Sequence, residues 1–175
     1  MAVSGGIFAA KRNPGLQDDV TYTVHTGEER VSIDRFSAPD RRLRFTPAHL
    51  VLETTGGAIV ETRDDPRSAF AGQTETSPWD RLHVGYFTSL YMWPGFVTEE
   101  IEPWHENGET WRRLKATFPA TVASHNKEQV THFGPDGLMR RHDYTVDVLG
   151  GATGANYSTD YRNVDGIMMP ARRRV

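Results

Sequence analysis

The densest group of chemically active side chains lies in two neighbouring predicted strands near the C-terminal end. The first strand carries His142 and Tyr144, and the next carries Asp160 and Arg162. A histidine can transfer a proton near neutral pH, an aspartate can orient it, and a tyrosine hydroxyl can donate a hydrogen bond. The cluster therefore predicts acid–base chemistry with His142, Tyr144 and Asp160 as catalytic residues.

This prediction depends on how the two strands pair. A hairpin loop at residues 150–154 sets His142 opposite Arg162. The same register sets Tyr144 opposite Asp160, on the same sheet face. A polar ladder of charge pairs on a solvated sheet face is the alternative interpretation of these residues.

The other motifs of known chemistry are absent from the sequence. The seven histidines lack the paired spacing of a metal site, and the chain has no cysteine to supply a thiolate. A phosphate-binding glycine loop, a nucleophile elbow and a dinucleotide fingerprint are also missing. We expect no metal and no cofactor.

One segment, Ser77–Trp93, is predicted to be a helix. Ser77 can cap its first turn, Pro78 suits the first helical position, and Asp80 stands three residues after the cap. Apolar side chains recur at spacings of three and four, which predicts one apolar face. That face is either ordinary core or the cover of a ligand cavity, and in the second case the ligand-binding residues are Leu82, Tyr86, Leu90 and Trp93 from the helix, with Gln129 and Arg162 from the sheet.

The rest of the chain is predicted to be an antiparallel β meander. Short segments rich in β-branched and aromatic residues alternate with turn signals such as Gly56-Gly57, Asn107-Gly108 and Asp165-Gly166. No internal repeat or linker divides the sequence, so we expect one domain over residues 1–175. The fold class is mainly β, with the sheet wrapped around the one helix.

The hairpin at Asn107-Gly108 has the strongest turn signal. Pairing outward from it sets Trp104 opposite Trp111 and Glu100 opposite Lys115. This face is predicted to be exposed to solvent or to a partner. The opposite face is predicted to belong to the core, with Val97, Ile101, Leu114, Ala116 and Phe118.

Composition narrows the classes of partner. The formal charge of −3, from 20 basic and 23 acidic residues, gives no field that would attract nucleic acid. No stretch reaches the roughly 20 apolar residues of a membrane helix, and residues 1–16 lack the pattern of a signal peptide. We expect a cytoplasmic protein, and the oligomeric state is left open.

The chain resembles a family of uncharacterised bacterial proteins. The matching segments are DVTYTV at 19–24, SAFAG at 68–72, PW at 78–79, ETWRRL at 109–114, DGL at 136–138, RRHDY at 140–144, DGI at 165–167 and PARRRV at 170–175. The resemblance implies a half-barrel similar to the lipoprotein carriers (LolA/LolB-like), in which a strongly curved antiparallel sheet wraps one main helix above an apolar cavity. The relatives carry a longer apolar segment between Trp93 and Pro94, so this chain has either a trimmed lid there or a loop left out of it.

Three functions are compatible with these observations. The first is binding of a small hydrophobic or amphipathic molecule between the curved sheet and the helix. The second is a cofactor-independent isomerase, cyclase or hydrolase that uses the His142 cluster. The third is an interaction module that docks through Trp104 and Trp111.

Overall fold

The regular structure is β in the part of the chain that the structure describes, apart from a 3-10 position at Asp147. The structure is a computed structural model, and it describes residues 2–3, 19–25, 28, 30–64, 95–120, 122, 124–147 and 150–175. The described strands form two antiparallel sheets. The prediction of a mainly β fold is confirmed.

The chain divides into two compact units, each containing one sheet. The first unit comprises Met1–Leu90 and Thr121–Ser124, and the second comprises Tyr91–Ala120 and His125–Val175. The sequence predicts one continuous sheet, whereas the described strands form two. Two sheets therefore replace the single curved sheet. The prediction of one domain stays a prediction.

The first sheet is a simple meander whose strands follow chain order. Its strands are β1 (Ala2–Val3), β2 (Val20–His25), β3 (Arg30–Asp34), β4 (Arg41–Phe45), β5 (His49–Thr54) and β6 (Ile59–Asp64). The predicted turn at Gly56-Gly57 joins β5 to β6, and Gly57 has the positive φ of 86° that favours glycine. Strand β4 was not predicted, because its alternating arginines hide a short apolar pattern.

One face of the first sheet is the hydrophobic core of its unit. Ile33 pairs with Leu43, and Leu43 pairs with Leu52, so that three aliphatic side chains form one cross-strand row. The neighbouring row contains Phe45 and Leu50, and all of these residues are almost fully buried. Burying each side chain contributes about 1.5–3 kcal/mol.

The second sheet is also a meander in chain order. Its strands are β7 (Val97–Glu106), β8 (Glu109–Thr117), β9 (Glu128–Phe133), β10 (Met139–Val146), β11 (Ala152–Val164) and β12 (Ile167–Arg174). The hairpins predicted for this part of the chain are present. The registers differ at two positions, and both differences change which side chains meet.

The first difference is in the hairpin of β10 and β11. His142 pairs with Asn156 and Tyr144 pairs with Gly154, so the predicted pairing with Arg162 and Asp160 is wrong. The turn lies three residues earlier than predicted, between Val146 and Ala152, where Gly150 and Gly151 both adopt positive φ and the Gly151 N–H donates to the Val146 carbonyl. The residues after Gly151 are extended and pair with β10, so the register of this hairpin differs from the predicted one.

The second difference is a β-bulge in β7. Trp104 pairs with Trp111 as predicted, but the register shifts between Ile101 and Trp104. Pro103 lies in this interval, and because proline has no N–H to donate, a bulge accommodates it at a sheet edge. As a result Glu100 pairs with Leu114.

Because of the bulge, the side chains on each face of this hairpin differ from the predicted ones. Ile101 now lies on the tryptophan face, and Val97 is exposed instead of belonging to the core. Trp104 is 36% exposed, as expected, but Trp111 is only 3% exposed, which contradicts the prediction of an exposed pair. Lys115 forms its ion pair with Glu99 at 2.7 Å instead of with Glu100.

The predicted helix Ser77–Trp93 lies outside the described residues. The same holds for its predicted ligand-binding residues Leu82, Tyr86, Leu90 and Trp93, and for the predicted lid at Pro94. The cavity beneath that helix therefore stays a prediction.

Candidate functional site

One face of the second sheet, here called the His142 face, carries the predicted site residues His142, Tyr144 and Gln129. A continuous cross-strand row on it runs through Glu100, Leu114, Thr131, His142 and Asn156. Cross-strand neighbours of this kind have Cβ atoms about 5 Å apart. The row therefore links an exposed ion at one sheet edge to a buried imidazole in its interior.

The glycine opposite Tyr144 determines where that ring lies. A Cβ atom on Gly154 would stand 2.7 Å from the Tyr144 ring, so only glycine leaves room for it. The ring stacks on His125 with centroids 5.1 Å apart and planes inclined by 12°. Its centroid is 5.2 Å from that of His142. The His142–Tyr144 pair is thus a real contact.

Burial keeps the His142 imidazole neutral. Its pKa is lowered to about 4, first by desolvation and then by the positive charge of Arg173, while Asp143 opposes the change. Desolvation raises the pKa of Tyr144. The Nε2 of His142 and the Oδ1 of Asn156 are buried without a hydrogen-bond partner among the described residues.

The other predicted catalytic residue, Asp160, is not part of this group. Strand β10 pairs with β11 only as far as Tyr157, and Asp160 lies three residues beyond that point, at an irregularity of β11 where its φ is 55°. There it forms an exposed ion pair with Arg162 at 3.1 Å. The register therefore separates Asp160 from His142 and Tyr144, and the catalytic roles predicted for these three residues stay predictions.

Gln129 lies near the position expected for it. It is buried on the His142 face but pairs with Ala116, and Thr131 is the residue opposite His142. The binding roles predicted for Gln129 and Arg162 stay predictions.

A groove of about 370 Å³ opens on the His142 face. Leu114 and Phe133 supply apolar side chains to it, and Pro135 lies in the turn beside it. Thr110, Arg112 and Glu100 supply its polar part. Sequence reasoning missed this groove, although the apolar residue before the Gly134–Gly137 turn is the signal that could have indicated it.

An arginine fixes the turn that borders the groove. Arg140 donates to Glu109 at 3.1 Å and to Asp136 at 2.9 Å, which ties the turn to β8. Its guanidinium lies against Gly134, where a Cβ atom would be 2.5 Å from the guanidinium carbon. The groove is therefore bordered by a turn held by two ion pairs.

The edge of the groove carries a bidentate ion pair. Arg112 donates through Nε to Oε1 of Glu100 at 2.7 Å and through its terminal nitrogen to Oε2 at 2.8 Å. This hydrogen bonding lowers the pKa of Glu100 and raises that of Arg112. Both side chains are exposed, 77% for Arg112 and 54% for Glu100, so a ligand can reach them.

The opposite face of the sheet is a closed cation–aromatic cluster. Arg113 and Arg141 lie over the Trp104 ring, 5.7 and 5.1 Å from its centroid. Arg141 also forms ion pairs with Asp143 at 2.6 Å and Glu106 at 3.2 Å. Arg141 is thus neutralised by carboxylates of β7 and β10, whereas Arg113 donates to the Glu102 carbonyl.

Two kinds of feature are absent from the described residues. No group of three or more histidine, aspartate or glutamate side chains in the described ranges is placed to hold a metal ion. No helix there is long and apolar enough to cross a membrane.

Comparison with known proteins assigns no family. No family model matches the chain, and no curated protein matches it. A crystal structure of a "putative outer membrane lipoprotein-sorting protein domain" from Vibrio parahaemolyticus is similar, with 10% identity and a TM-score of 0.48. The match covers 82% of this chain, which spans 62% of the length of that one.

Proposed function

We propose that this chain binds a small amphipathic molecule in the groove on the His142 face. The supporting observation is the groove itself, whose 370 Å³ falls within the range of about 300–1,000 Å³ that is usual for small-molecule sites. Leu114 and Phe133 would contact the apolar part of the ligand. Arg112 and Glu100 would contact its polar part.

The two halves of the groove favour an amphipathic ligand over a purely apolar one. Leu114 and Phe133 are only half-buried, so covering them with an alkyl chain removes apolar surface from water. The ion pair beside them is hydrated and would lose water without compensation under a purely apolar ligand. A polar head at Arg112 supplies that compensation.

Binding fits the geometry better than catalysis does. The proposed isomerase, cyclase or hydrolase needs a carboxylate to orient His142, and Asp160 lies far along β11. An imidazole with a pKa of about 4 is also a weak base at neutral pH. The contact of His142 with Tyr144 is better explained as packing that stabilises this face of the sheet.

The test is a calorimetric titration with dodecylphosphocholine below its micellar concentration. Leu114→Glu places a charge in the apolar part of the groove, so we expect at least about tenfold weaker binding. Ile167→Glu is the matched control, because Ile167 is an exposed apolar residue on β12, outside the groove. Its binding should equal that of the wild type.

Leu114→Gln is a second, uncharged variant in case Leu114→Glu does not fold. Circular dichroism measures whether each Leu114 variant retains its fold. Equal affinity for the wild type and both Leu114 variants, with the fold retained, would rule out this groove as the site.

A further inference from the structure

We infer that the head group bound in this groove is zwitterionic, with its anion on Arg112 and its cation on Glu100. This inference rests on the proposed function and specifies its ligand class. It is carried by the bidentate Arg112–Glu100 pair at the edge of the groove. Each member of that pair already satisfies the other, so a ligand must replace both interactions or leave one ion without a partner.

The pair is well suited to being opened. Both side chains are largely exposed, and exposed ion pairs contribute little net stability because water solvates the separated ions well. The guanidinium fork of Arg112 matches a phosphate or carboxylate as well as it matches Glu100. An ammonium group can take its place beside Glu100, so that all four charges are paired.

A singly charged head group lacks this balance. An anion on Arg112 would displace Glu100 and leave its carboxylate unpaired on a strand that also carries Glu99 and Glu102. A cation on Glu100 would leave Arg112 unpaired. Specificity of this kind comes from the penalty on the wrong ligand as much as from attraction of the right one.

No other described cation at this edge of the sheet takes the place of Arg112. The Arg113 side chain donates to the Glu102 carbonyl and lies over Trp104, on the opposite face. Lys115 is paired with Glu99 on that same opposite face. Arg113 also lines the groove, but its guanidinium is engaged by the Glu102 carbonyl and the Trp104 ring. Among the described lining residues, Arg112 is therefore the cation that an anionic head group would bind.

The experiment compares three amphiphiles with the same dodecyl chain, each below its micellar concentration. They are dodecylphosphocholine, dodecyl phosphate and dodecyltrimethylammonium, titrated by calorimetry at low ionic strength. The wild type should bind the phosphocholine about three- to fivefold more tightly than either probe whose head group carries only one sign of charge, which is the size expected for an exposed ion pair.

Two substitutions should reverse this preference in opposite directions. Glu100→Gln should favour dodecyl phosphate, because Arg112 is then unpaired before binding. Arg112→Gln should favour dodecyltrimethylammonium for the corresponding reason at Glu100. The matched controls are Glu99→Gln and Lys115→Gln, which open a neighbouring ion pair of the same two strands on the opposite face and should keep the wild-type order.

Each outcome supports or overturns the inference. Equal binding of the three probes by the wild type, with binding still lost in Leu114→Glu, would overturn the zwitterion inference and leave the proposed function standing. Binding of none of the probes would overturn both. If the two substitutions do not change the order of affinities for the three probes, the head group binds away from the Arg112–Glu100 pair and the inference is overturned.

Discussion

At the scale of single residues, His142 is the side chain whose environment makes the sharpest prediction. Burial lowers its folded-state pKa to about 4, whereas an unfolded histidine titrates near 6.5. Between these values the unfolded chain binds more protons than the folded one, so the free energy of unfolding falls as the pH falls. Above about pH 6.5 both states are neutral at this site, and it adds no pH dependence.

The expected result is a loss of stability from pH 6.5 towards pH 4, at most about 1.4 kcal/mol per pH unit for this residue. Urea unfolding followed at a series of pH values measures the slope. His142→Asn should flatten it without abolishing it, because burial also lowers the pKa of His132. A slope that His142→Asn leaves unchanged would show that this imidazole titrates normally in the folded chain.

At the scale of secondary-structure elements, the hairpin of β10 and β11 decides which polar residues meet. The sequence predicts both strands but places the turn at residues 150–154, whereas pairing begins at Val146 and Ala152. Glycine spacing alone does not say which glycines take positive φ. This error placed Asp160 beside Tyr144 and produced the predicted catalytic group.

The chain has no cysteine, so engineered pairs can test this register directly. Thr145 and Thr153 are directly opposite in the ladder, close enough for a disulfide. We expect Thr145→Cys with Thr153→Cys to oxidise spontaneously, as measured by mass spectrometry with and without reductant. The control, Thr145→Cys with Thr159→Cys, is the pair that the sequence-predicted register sets opposite, and its oxidation in place of the first would support that register.

The bulge in β7 shows a second limit of prediction at this scale. The Asn107-Gly108 turn correctly gives the Trp104–Trp111 pair, because a two-residue turn fixes the register next to it. Beyond Pro103 the register shifts by one residue, and a one-residue slip moves every side chain to the other face. Glu100 thereby reaches the groove, which no local pattern reveals.

At the scale of the whole molecule, hydrophobic alternation and turn residues predict the β class and most hairpins. They do not predict that the strands divide into two sheets, because that depends on what connects residues 64 and 97. The groove also escapes prediction. It combines β7, β8 and the turn after β9, and those segments come together only through the sheet order.

We propose that an amphipathic molecule occupies the groove beside Leu114. The most direct test is a nuclear magnetic resonance titration of the isotope-labelled wild-type chain with dodecylphosphocholine below its micellar concentration. We expect saturable chemical-shift changes concentrated at Thr110, Arg112, Leu114, Phe133 and Gly134, with small changes in the first sheet. Shifts that are absent from these residues, or that concentrate in the first sheet, would contradict this proposal.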